Sequence, residues 1–309
     1  MNQLGIEKIT FDLPFQLDHV HCFLAKGRDG WVIIDAGLES EKTIRKWVQN
    51  LNGKNVTNIV ITHSHPDHFG CAAKLQELTD AQITMTEDEA LLIDQLWGTE
   101  RTKILTKYYE ENGLPPNKVQ ELTNISPLIT NIPKVETYLK EGEKIQFGNY
   151  EYETIFTPGH ADGLFCLYNV EKKILFSTDH ILPKVSPNIC YKLFGKQDPL
   201  ACFFQSLSKV KELEVDYVIP SHGNPFENVK DRIEELEHHH MDRLAMVLEL
   251  IKVPRTASQV CEDMFPKHYH TKQVRFALGE TLSHLEYLVN KGECKKELVN
   301  GHWVYSKNM

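Results

Sequence analysis

Apolar and polar residues alternate in short strand-like runs through the first two-thirds of the chain, then give way near Pro225 to long helical repeats. "HVHCFLAKGRDGWVIIDAG" (19–37) predicts a hairpin, two apolar runs around the turn signal "GRDG". "SEKTIRKWVQNL" (40–51) follows with Ile44, Trp47, Val48 and Leu51 at helical spacing. The β-branched run "NIVIT" (58–62) predicts a strand that leads straight into "THSHPDHFG" (62–70), and a helix, "CAAKLQEL" (71–78), follows. Three further strands end in the same way: "YEYETIF" at "TPGH", "KKILFS" at "TDH" and "DYVI" at "PSHG". Four strands thus deliver a histidine or aspartate at their C-terminal ends, where α/β folds gather their binding loops.

Between the strands, residues 87 to about 135 read as an irregular helical insertion, with apolar patches "LIDQLW" and "ILTKYY" and a break at "GLPPNK". Such an insertion either packs on the sheet or shapes a substrate cap. Beyond Pro225, "ENVKDRIEELEHHHMDRLAMVLELI", "TASQVCEDMF" and "TKQVRFALGETLSHLEYLVNKG" predict three helices, the second capped by Thr or Ser and the third stopped by glycine. "ECKKELV" and "HWVYSK", joined by Asn300-Gly301, predict a hairpin. Three helices and a two-stranded wing describe a winged helix over 227–309, after a first domain over 1–226.

Composition narrows the class without naming a function. A chain of 309 residues with 41% hydrophobic and 25% charged residues is long enough for a large domain plus a small one, and neither disordered nor fibrous. The net charge of −9 disfavours phosphate-rich partners for the chain as a whole. Seven scattered cysteines form no disulfide framework, the N-terminus lacks a basic start and apolar run, and no stretch is apolar enough for a membrane span. The expectation is a cytoplasmic protein in a reducing compartment with a small-molecule substrate and no membrane partner; its oligomeric state, a dimer among the options, is not legible.

The chemistry lies in the strand-end residues. Imidazoles and carboxylates are the ligands of zinc and similar divalent ions in hydrolytic sites. His63 and His65 can turn to one point, Asp67 and His68 to a neighbouring one; His160 would complete the first, His222 the second, and Asp179 could bridge them. An ion so held lowers the pKa of bound water to about 7 and polarises a carbonyl or phosphoryl oxygen. Asp67 is the expected catalytic residue, orienting the hydroxide or taking its proton. The triplet His238, His239 and His240 cannot converge on one ion, because consecutive helical side chains diverge by about 100°; exposed or interface positions are expected for it.

Thr62-His63-Ser64-His65-Pro66-Asp67-His68, Pro158-Gly159-His160, Ser177-Thr178-Asp179 and Ser221-His222-Gly223, with Asp35 before Gly37, resemble the metallo-β-lactamase superfamily. The resemblance implies a four-layer αβ/βα sandwich with two divalent ions, usually zinc with iron or manganese as alternatives. His63, His65 and His160 would hold one ion, Asp67, His68 and His222 the other, and Asp179 the bridge. Asp179 stands where true β-lactamases typically carry cysteine, so the match resembles the hydroxyacylglutathione hydrolase and lactonase side. The appended winged helix resembles a hydroxyacylglutathione-hydrolase-like or β-lactamase-like subgroup, some members of which act on RNA. Many glutathione-thioester hydrolases carry a further histidine where this chain has Gly163-Leu164, so the resemblance does not extend to glutathione specificity.

The expected function is therefore metal-dependent hydrolysis of a thioester, lactone or related carbonyl ester. The alternative is an endoribonuclease or phosphodiesterase on the same ions, which the balanced charges beyond Glu227 support only through Lys267, Lys272 and Arg275. A metal-stabilised binding domain and an iron enzyme of oxygen or persulfide chemistry are further options; no flavin-binding domain is recognisable. Tyr191, Lys192 and Phe194, in the loop after Asp179, are the expected substrate contacts, with Tyr108 and Tyr109 as weaker candidates.

Overall fold

The computed structural model describes residues 1–15, 17–97, 100–124, 128–129 and 131–308, with main chain only at 94, 96 and 97. Parts of the expected insertion, 98–99, 125–127 and 130, therefore lie outside the described residues, as do the Leu96 and Trp97 side chains.

Two mixed sheets form the first part of the chain. One orders β1 (Ile6–Asp12), β2 (His19–Lys26), β3 (Trp31–Ile34), β4 (Val56–Val60), β5 (Gln82–Thr86) and β6 (Val135–Leu139) in sequence. The other runs β11 (Tyr217–Pro220), β10 (Ile174–Thr178), β9 (Phe165–Asn169), β8 (Tyr150–Phe156) and β7 (Lys144–Phe147). β3 to β6 pair in parallel, as do β10 and β11, so the ends of β4, β10 and β11 can share one edge. The structure adds β1, β5, β6, β7 and β9 to the predicted strands.

Period-2 geometry divides the strands between cores. Phe23, Ala25, Val32, Ile34 and Val60 of the first sheet face Phe147, Tyr152, Phe165, Leu167, Phe176 and Ile219 of the second. The intervening Cys22, Leu24, Ile33 and Ile59 turn outward, onto α1 (Glu41–Leu51), α2 (Pro66–Phe69) and α3 (Ala72–Thr79), where Trp47, Phe69 and Leu75 are buried. Leu175 and Val218 of the second sheet likewise turn onto α7 (Pro199–Lys211) through Phe203 and Leu207. Helix, sheet, sheet and helix make the four expected layers, and strands buried on both faces explain the near-continuous apolar runs.

The insertion folds as α4 (Glu87–Trp97), α5 (Arg101–Glu111) and α6 (Pro116–Thr123). Tyr108, Tyr109, Leu114, Val119 and Leu122 join the same core as Leu278, Leu282 and Leu285 from the C-terminal part. The Asn112 carbonyl accepts the Ser258 amide at 3.0 Å, and Lys118 Nζ donates to the Tyr269 carbonyl.

The C-terminal elements are α8 (Val229–Leu250), β12 (Arg255–Thr256), α9 (Ala257–Met264), α10 (Pro266–Tyr269), α11 (Val274–Asn290), β13 (Cys294–Val299) and β14 (His302–Lys307). With the four-residue α10 counted as part of the turn before α11, helix, strand, helix, helix, strand, strand is the order of a winged helix, and α11 is its third helix. Thr256 caps α9 in a capping box with Gln259, as the Thr signal predicts. Asn300 and Gly301, both at positive φ, make the two-residue hairpin turn. The wing has three strands, in the order β12-β14-β13, because Arg255 and Thr256 pair with Tyr305 and Val304. Its core is continuous with that of the second sheet: Leu175, Phe203 and Val218 belong to the same cluster as Leu244, Val260 and Leu282.

Phe176 sits at the centre of the inter-sheet layer, its ring centroid 5.1 Å from Phe23 and 5.3 Å from Tyr152. Truncating it leaves a cavity that rigid sheets cannot close. Phe176→Ala is expected to lower stability by about 3–5 kcal/mol, read as a drop in the urea midpoint; a loss below about 1 kcal/mol would show that the layer repacks freely.

Candidate metal centre

The stretch 62–70 turns from β4 into α2, and one buried carboxylate organises the turn. Asp35, at the end of β3, accepts the Thr62 amide at 2.9 Å, the Thr62 hydroxyl at 3.0 Å and His68 Nδ1 at 2.8 Å. It is 1% exposed and sits at φ 60°, a left-handed conformation that aspartate tolerates better than most side chains. Thr62 Oγ1 in turn lies 3.0 Å from His63 Nδ1. Holding each Nδ1 leaves Nε2 of His63 and His68 to face inward.

The other strand ends bring in the partners. His160 Nδ1 donates to the Asn188 carbonyl at 2.8 Å, and His222 Nδ1 to the His19 carbonyl at 2.5 Å. β2 also braces the His222 loop through His21, whose Nε2 lies 2.8 Å from the Gly223 carbonyl. Gly159 precedes His160 at φ 145°, and a Cβ there would come within 2.6 Å of Phe203 Cβ, so only glycine lets α7 lie this close.

The side chains converge in three overlapping groups with ligand atoms within 4.8 Å of one another: His63, His65 and His160; His63, His68 and Asp179; Asp67, His68 and His222. His63 Nε2 and His65 Nδ1 are 3.0 Å apart. Asp179 Oδ2 lies 3.4 Å from His68 Nε2, 3.6 Å from His160 Nε2 and 3.3 Å from His222 Nε2, between the two outer groups. Asp67 Oδ2 is 3.4 Å from His222 Nε2. All seven expected ligands meet at one edge of the sandwich.

Buried Nε2 atoms of His68, His160 and His222 and Oδ1 of Asp179 have no hydrogen-bond partner among the described residues. Inward Nε2 atoms beside a shared carboxylate fit two adjacent divalent ions, with outer nitrogens already held as metal-ligating imidazoles require.

Electrostatics divide the histidines. Burial pushes His63, His65 and His160 below the ordinary histidine pKa, reinforced by neighbouring histidines. Burial opposes charge on His68 and His222 too, but Asp179 and the nearby carboxylates outweigh it, taking His68 well up and His222 to about 10. Burial would raise Asp179, but His222 and His68 hold its carboxyl well below the usual carboxylate range.

One organising residue escapes the sequence reading. Glu89, fully buried in the first turn of α4, accepts the Ser64 amide at 2.7 Å and the Gly163 amide at 2.9 Å, so one carboxylate ties the loop of His63 and His65 to that of His160. Its signal was available, since "TEDE" follows the end of β5 just as the ligand stretches follow their strands. The histidine triplet needs correction. His238 is exposed and His239 half-buried, but His240 is fully buried, 3.2 Å from both Ser186 Oγ and His284 Nε2. Three consecutive helical positions sweep about 200°, and α11 and the loop near residue 186 cover the arc that His240 occupies.

Of the expected substrate contacts, Phe194 lines a cleft of about 490 Å³ with Leu91, Leu92, Asp162 and Lys196. Lys192 Nζ is buried without a hydrogen-bond partner among the described residues, and its charge acts on His65, His160 and Asp162. Tyr191 packs against the helical core, its carbonyl accepting the Tyr108 hydroxyl at 3.0 Å. Tyr108 and Tyr109 are buried in that core rather than at the ligand edge.

Two mixed sheets between helical layers, with five histidines and two aspartates meeting at strand ends, define a metallo-hydrolase. Residues 16–222 match the family model of the metallo-β-lactamase superfamily and residues 244–308 that of the metallo-β-lactamase-like C-terminal domain; the chain belongs to this superfamily. It is 25% identical to a probable metallo-hydrolase, YqjP, of Bacillus subtilis, over 97% of both chains. A β-lactamase domain protein from Burkholderia ambifaria superposes with a TM-score of 0.88 at 30% identity, over 98% of this chain and 92% of that one. The hydroxyacylglutathione hydrolase GloC of Haemophilus influenzae is 28% identical over 48% of this chain and 59% of its own. No helix among the described residues is long and apolar enough to cross a membrane.

Two outcomes follow. Glu89→Ala strands two buried amides and is expected to weaken metal binding about 10–100-fold; unchanged affinity by chelator competition would refute the bracing role. Ions entering Asp67, His68 and His222 must displace protons held by the raised imidazoles, so affinity there falls as pH falls towards and below neutrality. Ions entering His63, His65 and His160 meet neutral rings. Calorimetry in buffers of different ionisation enthalpy should therefore find about 1–2 protons released at one site and almost none at the other; equal release at both would overturn the division.

Proposed function

We propose that this metallo-hydrolase cleaves a carbonyl ester bond, a thioester or lactone, in a small substrate bearing an anionic group, using a pair of zinc ions. The observation that carries the substrate reading is Lys192: its Nζ is buried with no hydrogen-bond partner among the described residues and feels the Asp162 carboxylate only through space, so a hydrogen-bonding anion would satisfy it. Its influence on His65 and His160 sets it beside the ligand edge. The cleft by Leu91, Leu92 and Phe194 offers apolar surface for the rest of the molecule.

When bound, divalent ions supply Lewis acidity and make water a nucleophile at neutral pH. His63, His65 and His160 would hold one, Asp67, His68 and His222 the other, with Asp179 between them. Asp67, whose carboxyl is kept low by His68 and His222 against the effect of burial, would orient the attacking water, or accept its proton where only the first ion is held. Lys192 Nζ donates to the substrate's carboxylate or to the oxygen on which charge develops. The likeness to the hydroxyacylglutathione hydrolase GloC, over 48% of this chain, supports the thioester reading.

The phosphodiester alternative has less support. In a winged helix that reads a duplex, the third helix lies in the groove. Here Val274, Ala277, Leu278, Thr281, Leu282 and Leu285 of that helix are buried, and only Phe276 and Asn290 are exposed.

Metal-loaded protein is expected to hydrolyse at least one of acyl-thioesters, acyl-homoserine lactones and p-nitrophenyl esters. Chelator or His63→Ala should abolish turnover with folding retained. Lys192→Ala should raise KM for the acidic substrate by about 10–100-fold, as loss of a charged hydrogen bond implies, with kcat less affected. Inert esters, together with single-stranded RNA cut by wild type and spared by His63→Ala, would replace this reading with the nuclease one.

A further inference from the structure

The carbonyl that orients His160 belongs to Asn188, in the loop between Asp179 and α7. That loop is fastened from the C-terminal side. Asn188 Nδ2 donates to Glu280 Oε2 of α11 at 2.7 Å, and Asn188 Oδ1 accepts the Cys190 thiol. Three residues beyond Asn188, the Tyr191 amide donates to the Gly279 carbonyl at 2.9 Å. Gly279 admits this approach, since a Cβ there would meet Cys190 Sγ at 2.8 Å. Behind Glu280, its own carbonyl accepts His284 Nδ1 at 2.8 Å, and His284 packs on His240, which reaches Ser186 in the same loop.

A continuous set of contacts thus runs from α11 to an expected ligand: Glu280 to the Asn188 amide, Asn188 carbonyl to His160 Nδ1. Imidazole ligands depend on the group that holds the outer nitrogen, which fixes both ring direction and tautomer. A loop carbonyl can do this only if the loop itself is held. Most of α11 is buried, and Glu280 finds its hydrogen-bond partner in the loop, at Asn188.

We infer that Glu280 is a positioning residue of the metal centre, and that the C-terminal domain acts as part of the hydrolytic site by holding, through Asn188, the histidine that completes the first ion's ligand set. This rests on the reading of His63, His65 and His160 as ligands. It assigns the domain a role inside its own chain, independent of any external partner.

The test uses the full-length protein and cobalt(II), titrated against a chromophoric chelator and followed by d–d absorption. Glu280→Leu and Asn188→Ala should each weaken one of two cobalt sites about 10–100-fold and shift its absorption, leaving the other unchanged. Glu280→Gln, which keeps an amide oxygen for Asn188, should restore most of the affinity. The double variant should lose no more than either single one, as expected for two residues acting through one contact. Glu286→Leu serves as the structural control: it removes the partner of Tyr305 and Lys296 on the same helix, and should lower Tm without altering cobalt affinity. His160→Ala separates the two levels of argument. If it loses a site while Asn188→Ala and Glu280→Gln bind like wild type and Glu280→Leu binds like wild type or does not fold, the inference about Glu280 fails. If His160→Ala also binds like wild type, the ligand reading beneath it fails. A Glu286→Leu variant that weakens cobalt as much as Glu280→Leu would reduce the effect to general destabilisation and overturn the inference.

Discussion

The carboxylate of Asp35 is the interaction on which the rest of this site depends. It is buried at 1% exposure, and three donors meet it: the Thr62 amide, the Thr62 hydroxyl and His68 Nδ1. A lone buried carboxylate would cost several kcal/mol; three hydrogen bonds from one turn make its burial tolerable and at the same time dictate the turn. Asp35 thereby joins the end of β3 to the end of β4, orients His68 directly, and orients His63 through Thr62. Pro66 then opens α2, so Asp67 and His68 follow helical geometry while His63 and His65 precede it in extended chain. The split of one short stretch between two ligand groups is a consequence of that change in backbone.

Charge balance explains why seven polar side chains can share a buried edge. Asp67, Asp179 and Asp35 bring negative charge; His68 and His222 answer it by holding protons, and His63, His65 and His160 stay neutral. The cores on either side are apolar.

Much of this was legible in the sequence because metal chemistry demands particular side chains and parallel pairing demands strand ends. His63, His65, Asp67, His68, His160, Asp179 and His222 all follow recognisable β runs, and the four-layer sandwich follows from runs buried on both faces. What the sequence hid was support supplied by main chain or across long separations. The Asn188 and His19 carbonyls that hold His160 and His222 carry no side-chain signature. Glu280 lies 92 residues from the asparagine it holds. Glu89 resembles any acidic residue in a helix's first turn, where the dipole favours it without a further role. His240 was misplaced for a related reason: helical geometry gives the divergence of neighbouring side chains but not which of them a distant helix will cover.

The C-terminal domain follows the same logic. A winged helix on its own keeps its third helix free to enter a groove, and its core closes beneath that helix. Here the core runs on into the second sheet, with Leu282 and Phe203 in one cluster and Tyr108 of the insertion in the same layer. Burying α11 creates a wall against which the loop of Asn188 and Tyr191 is pressed. That loop carries, within five residues, a carbonyl for a ligand, an aromatic anchor and an unpartnered cation. A flexible loop would spend binding energy on ordering those groups whenever a substrate arrived. Held from behind by α5 and α11, it presents them already ordered, and this gives a physical reason for a metallo-hydrolase to keep a helical domain packed against this loop.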